Sequence, residues 1–194
     1  MSVELRDLAP AGYYLALRLG FAFPTDEVNC LPRDWVRHYA RNSYVMRDPV
    51  VRWAYANTGW VRWSDLTPDA QEIEVLNKAR DFKLIFGTVI SIAARERSFG
   101  MFARSDREFT TAEIDRLHRL VQMMHRRSAP PANITAAETE ALGMVRDGLR
   151  LKQIAYELGV SEGAVKQRLK SAKVKLGAAT SAQAASMAST FGLI

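Results

Sequence analysis

Gln153-Ile154-Ala155-Tyr156-Glu157-Leu158-Gly159-Val160-Ser161, continued by Glu162-Gly163-Ala164-Val165-Lys166-Gln167-Arg168-Leu169-Lys170-Ser171-Ala172-Lys173-Val174-Lys175-Leu176, is the stretch on which the fold of the C-terminal region turns. Ala155 is small where two helices must approach, and Gly159 can take the positive φ that a tight interhelical turn needs. Ile154, Leu158 and Val160 supply apolar contacts, and Ser161 is a good N-cap for the next helix. In that helix Val165, Leu169, Ala172 and Leu176 recur at spacings of four, three and four, which makes one buried stripe. Lys166, Lys170 and Lys173 recur on a neighbouring stripe, and Gln167 and Arg168 widen the polar face. From Gly163 to Gly177 there are five basic residues and no acidic one. An ordinary solvated face explains lysines but not this lack of acidic company. Cations for phosphates with a few long donors for base edges suit the major groove of duplex DNA.

Working outward, the C-terminal region reads as all helix. Thr135-x-x-Glu138 is a capping box, and Gly148 stands where a helix would end. A short helix is expected over Leu151 to Leu158, the capped helix from Ser161 to Leu176, and a last one over Ser181 to Phe191. Ser128-Ala129-Pro130-Pro131-Ala132-Asn133 reads as a linker, because consecutive prolines favour extended backbone. The chain is thus expected to hold a domain at 1–127, a linker at 128–133 and a helix-turn-helix domain at 134–194.

The stretch 134–194 resembles the C-terminal domain of LuxR-type regulators. The resemblance rests on Thr135, Glu138, Glu140, Leu142, Gly148, Ile154, Ala155, Leu158, Gly159, Ser161, Val165, Lys175, Leu176, Gly177, Gln183, Ala184 and the closing Gly192-Leu193-Ile194. It departs from the family at Ala137, Arg150, Ala164 and Arg168. What it implies is a helix carrying Lys166 and Lys170 in the major groove, a DNA-binding set of Ser161, Lys166, Gln167, Arg168, Lys170 and Lys173, and a last helix used in dimerisation. Double-stranded DNA, a second copy of the chain as a homodimer, and RNA polymerase are the macromolecular partners implied.

The N-terminal region mixes periods. Tyr13 to Leu19 reads as a helix and Phe21 to Val28 as a short strand. Asp34 to Asn42 reads as a helix with Trp35 and Tyr39 one turn apart, and Thr67-Pro68 as the start of a helix to Phe82. Thr88 to Ala93 and Phe99 to Ala103 read as strands joined through Arg95, Glu96 and Arg97. Thr110-x-x-Glu113 is a capping box that opens a helix to Arg127. The expected class is α+β: an N-terminal α/β/α sandwich around a short antiparallel sheet, followed by a four-helix helix-turn-helix domain.

Trp35-x3-Tyr39, Asp48-Pro49 and Trp63 place aromatics and one carboxylate where they would wall an apolar cavity and hold a ligand amide N–H. Trp35 and Tyr39 read equally as plain core, and Asp48-Pro49 as an N-cap followed by a first-turn proline. The region from Leu19 to Arg127 resembles the autoinducer-binding domain of the same family, which recognises N-acyl-homoserine lactones. That resemblance implies an indole donor to the lactone carbonyl at Trp35, an acceptor for the amide at Asp48, pocket walls at Tyr39 and Trp63, and strand glycines at Gly87 and Gly100, with Gly87 counted among the ligand-binding residues. It departs at Leu31, Ser91 and Ala103, and Gly20 to Trp35 is shorter than usual, which predicts a smaller or more open pocket. The alternative is a ligand-independent or truncated regulator acting through heterodimers with a full-length relative.

Composition bounds the rest. The 194 residues carry a net charge of +6 and are 48% hydrophobic, enough to give each half a core and to suit a polyanionic partner. Cys30 is the single cysteine and reads as an inert thiol in a reducing compartment. Met1 to Pro10 lacks the apolar core of a signal peptide, and no run is long enough to span a bilayer, so a cytoplasmic protein without membrane contact is expected. No metal spacing, phosphate loop or nucleophile elbow is present, so neither an enzyme nor a cofactor is expected beyond the autoinducer. His118 and His125 are expected to be solvated on a dimerising helix, and Ile114, Leu117, Leu120, Val121 and Met124 with Ala184, Met187 and Ala188 to offer the dimer surfaces.

Overall fold

The computed structural model describes residues 2–19, 24–93 and 96–194. The chain divides into two compact units, Met1–Ser128 and Ala129–Ile194. In the first, strands β1 (Gly12–Leu19), β2 (Pro24–Asn29), β3 (Gly59–Arg62), β4 (Phe86–Ala93) and β5 (Arg97–Arg104) form a five-stranded sheet in the order β2-β1-β5-β4-β3. All neighbouring strands are antiparallel. Helices α1 (Ser2–Leu8) and α5 (Thr111–Arg127) cover one face; α2 (Arg33–Arg41), α3 (Pro49–Ala56) and α4 (Glu72–Arg80) cover the other. This is the α/β/α sandwich that the alternation of periods predicts.

Several local expectations are corrected. Tyr13 to Leu19 is strand β1, not a helix. Its Tyr13, Leu15 and Leu17 pack under α1 and α5, while Ala16 packs on the α3 side. A strand covered on both faces shows a continuous apolar run, which periodicity cannot tell from a buried helix. The strand expected over Phe21 to Val28 is β2, starting at Pro24, and Phe21 to Phe23 lie outside the described residues, as does Arg95 of the expected turn. The helix expected from Thr67-Pro68 begins at Glu72: Asp69 Oδ1 accepts from the backbone N–H groups of Gln71 and Glu72 at 2.8 and 2.9 Å, and Glu72 answers at the Asp69 N–H. Asp69 therefore does the capping that Thr67 was expected to do. The helix α1 and the short strand β3 had no expectation at all.

The inner face of α5 is spent on the sheet. Ile114, Leu117 and Val121 are fully buried in that core with Leu120 and Met124, so they offer no dimer surface. Ala184 and Ala188 are likewise buried within the second unit. His125 is buried, not solvated: its Nδ1 lies 2.7 Å from Ser98 Oγ, which also accepts from the backbone N–H of Arg18. Arg18 takes a left-handed φ of 49° at the irregularity in β1 and reaches the His125 carbonyl oxygen through Nε at 2.9 Å.

The second unit packs α6 (Ala136–Arg146), α7 (Leu151–Glu157), α8 (Glu162–Leu176) and α9 (Ser181–Thr190) around one core. Thr135 Oγ1 accepts from the Glu138 N–H and Glu138 returns the bond, completing the capping box. Gly148 and Gly159 take positive φ after α6 and α7, and Gly177 does so after α8. No described helix is long and apolar enough to cross a membrane.

Candidate functional site: an aromatic cavity and a basic helix face

Between the sheet and α2, α3 and α4 lies a cavity of about 290 Å³. Trp35, Tyr39, Asp48 and Trp63 all line it. Trp35 and Asp48 are each 5% exposed. Tyr39 meets Trp35 edge-on at 5.5 Å, and Tyr44 and Phe82 complete the cluster. The core and cavity readings of Trp35 and Tyr39 therefore hold together: each packs on neighbouring rings and also lines the cavity.

Asp48 is likewise both cap and wall. Its Oδ1 accepts from the Val50 N–H at 2.8 Å, starting α3, and its Oδ2 accepts from the Tyr39 hydroxyl at 2.8 Å. A carboxylate offers about four lone-pair positions, so acceptor capacity remains for a ligand N–H. Burial raises the Asp48 pKa, the Tyr39 hydroxyl and the N–H groups of Val50 and Val51 oppose it, and the nearby Glu72 charge adds to the rise. The net direction is upward: burial costs the carboxylate more than its hydrogen-bond donors return. Burial, then the Asp48 charge, holds Tyr39 as a neutral phenol that can donate.

Gly87 does not line the cavity. It seats Trp63: a Cβ at Gly87 would stand 2.1 Å from Trp63 Cδ2 and 2.2 Å from Cε2. The Trp63 Nε1–H is buried with no hydrogen-bond partner among the described residues. Gly87→Ala must push the indole toward the cavity. Its expected result is a loss of about 1 to 3 kcal/mol in the N-terminal unit together with loss of ligand response. A variant that melts and responds like the parent would refute the seat.

Sequence reasoning missed much of the wall. Tyr14, Tyr55, Phe99 and Met101 line the cavity, and reading β1 as a helix hid the face that carries Tyr14. It also missed the tie on the far end of α3, where Ser91 Oγ and Arg97 donate to the Ala54 carbonyl oxygen, each at 2.7 Å. Those two side chains hold the helix that carries Asp48 at its start.

In the second unit Val165, Leu169, Ala172 and Leu176 are buried, as their spacing predicts. Lys166, Gln167 and Lys170 are exposed on the opposite side, while Arg168 and Lys173 are half-buried at its flanks. Ser161 is exposed, and its hydroxyl accepts from the Ala164 N–H at 3.2 Å, so it caps α8. Lys175 leaves the basic face altogether: its Nζ lies 2.8 Å from both carboxylate oxygens of Glu138. Val174 is 76% exposed on the side of α8 away from the buried stripe, an apolar residue that the count of basic residues passes over.

Comparison with known proteins follows this geometry. The family model described as autoinducer binding domain matches residues 25–128, more than half of the chain. The model described as bacterial regulatory proteins, luxR family, matches residues 132–188. The chain belongs to the LuxR family of transcriptional regulators. Two LuxR-type activators resemble it along most of its length. One is the transcriptional activator protein SolR of Ralstonia nicotianae, 27% identical over 179 residues that cover 84% of this chain and 75% of that protein. The other is the transcriptional activator protein VanR of Vibrio anguillarum, 28% identical with the same coverage. The crystal structure of Escherichia coli SdiA matches 100% of this chain and 88% of its own at a TM-score of 0.52 and 25% identity. The LuxR-family chain is thus a DNA-binding transcription regulator with a small-molecule sensory domain, not an enzyme.

Proposed function

We propose that this regulator is gated by an N-acyl-homoserine lactone. The observation that carries the reading is Asp48: a buried, under-compensated carboxylate in an apolar cavity, with the Trp35 indole beside it and α3 fixed behind it. The ligand amide N–H donates to Asp48, the lactone carbonyl accepts from Trp35, and Tyr39 and Trp63 enclose the ring. The cavity volume of about 290 Å³ sits at the low end for small-molecule sites, in keeping with the short segment between Leu19 and Trp35. The test is the melting temperature and soluble yield of the full chain with a panel of acyl-homoserine lactones. A ligand at a hundredfold excess over its dissociation constant stabilises the folded state by about 2.7 kcal/mol. If no lactone shifts either quantity, the gating reading falls.

On the DNA side, Lys166, Gln167 and Lys170 point to base edges, and Arg168 and Lys173 to the phosphates on either flank. Val174 suits a thymine methyl. Alanine at Lys166 or Lys170 is expected to cost about 1 to 3 kcal/mol and to relax sequence preference. Alanine at Lys173 is expected to weaken all sequences alike and to flatten the salt slope by about one unit. Binding of a selected operator measured across salt concentrations separates the two; equal effects on matched and mismatched operators at Lys166 and Lys170 would refute the assignment.

The regulator is proposed to act as a homodimer on paired half-sites about one helical turn apart or a multiple of it, working with RNA polymerase in the cytoplasm. Because the apolar face of α5 and Ala184 and Ala188 of α9 are buried within their own units, dimer contacts fall on surfaces still exposed, such as the outer side of α5 and the half-exposed Met187 of α9. A monomer by light scattering, with and without DNA, would contradict this.

A further inference from the structure

The C-terminal end of α5 is tied to the sheet by a cluster that neither the cavity nor the basic face uses. His125 is 6% exposed and Ser98 is fully buried. Arg18, at the irregularity in β1, is the hub. Its backbone N–H donates to Ser98 Oγ at 2.8 Å, its Nε–H to the His125 carbonyl oxygen at 2.9 Å and its Nη1–H to Glu96 at 2.7 Å, while the Thr25 hydroxyl donates to the Arg18 carbonyl oxygen at 3.2 Å. A non-glycine residue at a φ of 49° is strained, and such a conformation persists only where its surroundings hold it. Three residues after His125 the helix ends at Ser128, whose N–H donates to the Met124 carbonyl oxygen at 3.0 Å. The second unit begins at the next residue, Ala129.

Ser98 Oγ lies 2.7 Å from His125 Nδ1 and already accepts from the Arg18 N–H. The arrangement that uses every hydrogen has the Ser98 hydroxyl donating to a neutral imidazole. A proton on Nδ1 reverses that bond. Ser98 Oγ then faces two donors, and its own hydrogen loses its acceptor at a fully buried site, where an unmet donor is costly. The charged groups that face the ring are Arg18 from β1, Glu96 from just before β5 and Arg126 on α5 itself, so an imidazolium would join two cations and one carboxylate. Burial first, and Arg18 next, hold the imidazole below its usual 6.5; Arg126 adds to that direction and Glu96 opposes it. Because the folded value is depressed, the contribution of the neutral ring is complete above 6.5 and is lost as the pH falls through the folded value.

We propose that Arg18, Ser98 and His125 form a proton-released latch at the exit of the sensory unit. With His125 neutral, the latch holds the last turn of α5 on the sheet. With His125 protonated, that turn opens, Arg18 leaves its strained conformation, and the segment that leads to the DNA-binding unit loosens while the core of the sheet stays intact.

The test is hydrogen exchange of the full chain between pH 7.5 and pH 5, corrected for the intrinsic pH dependence of exchange and compared between residues 125–128 and strand β4. In the parent, protection of 125–128 is expected to fall by about tenfold per pH unit below 6.5, as release by one proton requires, with β4 unchanged. His125→Asn keeps a polar group near the Nδ1 position but takes no proton, so its last turn should show no such fall. Protection that is flat with pH in the parent, that falls in step at β4, or that falls equally in His125→Asn overturns the latch. Should His125→Asn fail to fold, Arg126→Glu decides. It changes an exposed side chain outside the latch bonds and puts a carboxylate where a cation opposes the proton. The acid-induced loss of protection should then shrink by about threefold, and a loss as deep as the parent's would overturn the proposal.

Discussion

Lys175→Met is expected to destabilise the helix-turn-helix unit by about 2 to 3 kcal/mol at neutral pH, a drop of roughly 10 °C or more in its melting transition. Lys175 is the partner of Glu138, whose side chain is only 6% exposed. Burial alone pushes the Glu138 carboxyl up, but the Lys175 ammonium, the Ser171 hydroxyl and the Thr135 N–H and hydroxyl together hold it down at about 2. Its folded-state value is thus depressed below the ordinary 4.5, so the pair's stabilisation is fully present above that value and is lost as the pH falls through about 2. In the parent, the unit should therefore weaken progressively between about pH 5 and 2. In Lys175→Met the buried carboxylate has lost its cation, so its pKa rises and mild acid should narrow the gap to the parent. Calorimetry of both full chains from pH 7 down to pH 3 checks this; a gap that is constant with pH would mean that Lys175 contributes through its alkyl stem alone.

The second large effect is at Asp48. Asp48→Asn is expected to reduce ligand affinity by about 10- to 150-fold, the equivalent of about 1.5 to 3 kcal/mol, while leaving apo stability unchanged or slightly higher. Asparagine caps a helix about as well as aspartate, so the bond from the Val50 N–H survives. The Tyr39 hydroxyl can turn from donor to acceptor and meet the new amide N–H. What disappears is a charge whose burial is costly and which strengthens the bond from a ligand N–H about twofold over a neutral acceptor. Because the folded Asp48 pKa is raised, the parent should lose ligand affinity as the pH falls toward that value, and the asparagine variant should lose this pH dependence. Reporter response against lactone concentration, with apo melting measured alongside, separates the roles. An unchanged dose response would leave Asp48 as a cap only; a collapsed apo melting temperature would mean that the carboxylate is structural.

The features legible in the sequence are those whose physics is local. The capping boxes at Thr110 and Thr135, the Asp48-Pro49 helix start and the Gly159 turn each involve residues within a few positions of one another, and all form as their spacing predicts. The buried stripe of α8 is equally local, because four residues at helical spacing share a face whatever they pack against. Trp35, Tyr39, Asp48 and Trp63 are also legible as aromatics and a carboxylate suited to a cavity, but only the resemblance gives each a separate role.

Tertiary structure alone decided the features that depend on partners distant in the chain. Whether Tyr13 to Leu19 is strand or helix depends on coverage of both its faces, which no local period reports. The apolar face of α5 looks the same whether it meets a sheet or a second copy, and only the fold shows that it is buried on the sheet. Gly87 matters through an indole 24 positions earlier in the sequence, and Lys175 is drawn off the basic face of α8 by a carboxylate 37 positions before it. His125 looks like a surface histidine until Ser98 and Arg18 close over it from the sheet. In each case the side chain's chemistry is written in the sequence. Its neighbour, and therefore its burial and charge environment, is set by chain segments that come together only when the sheet and helices assemble.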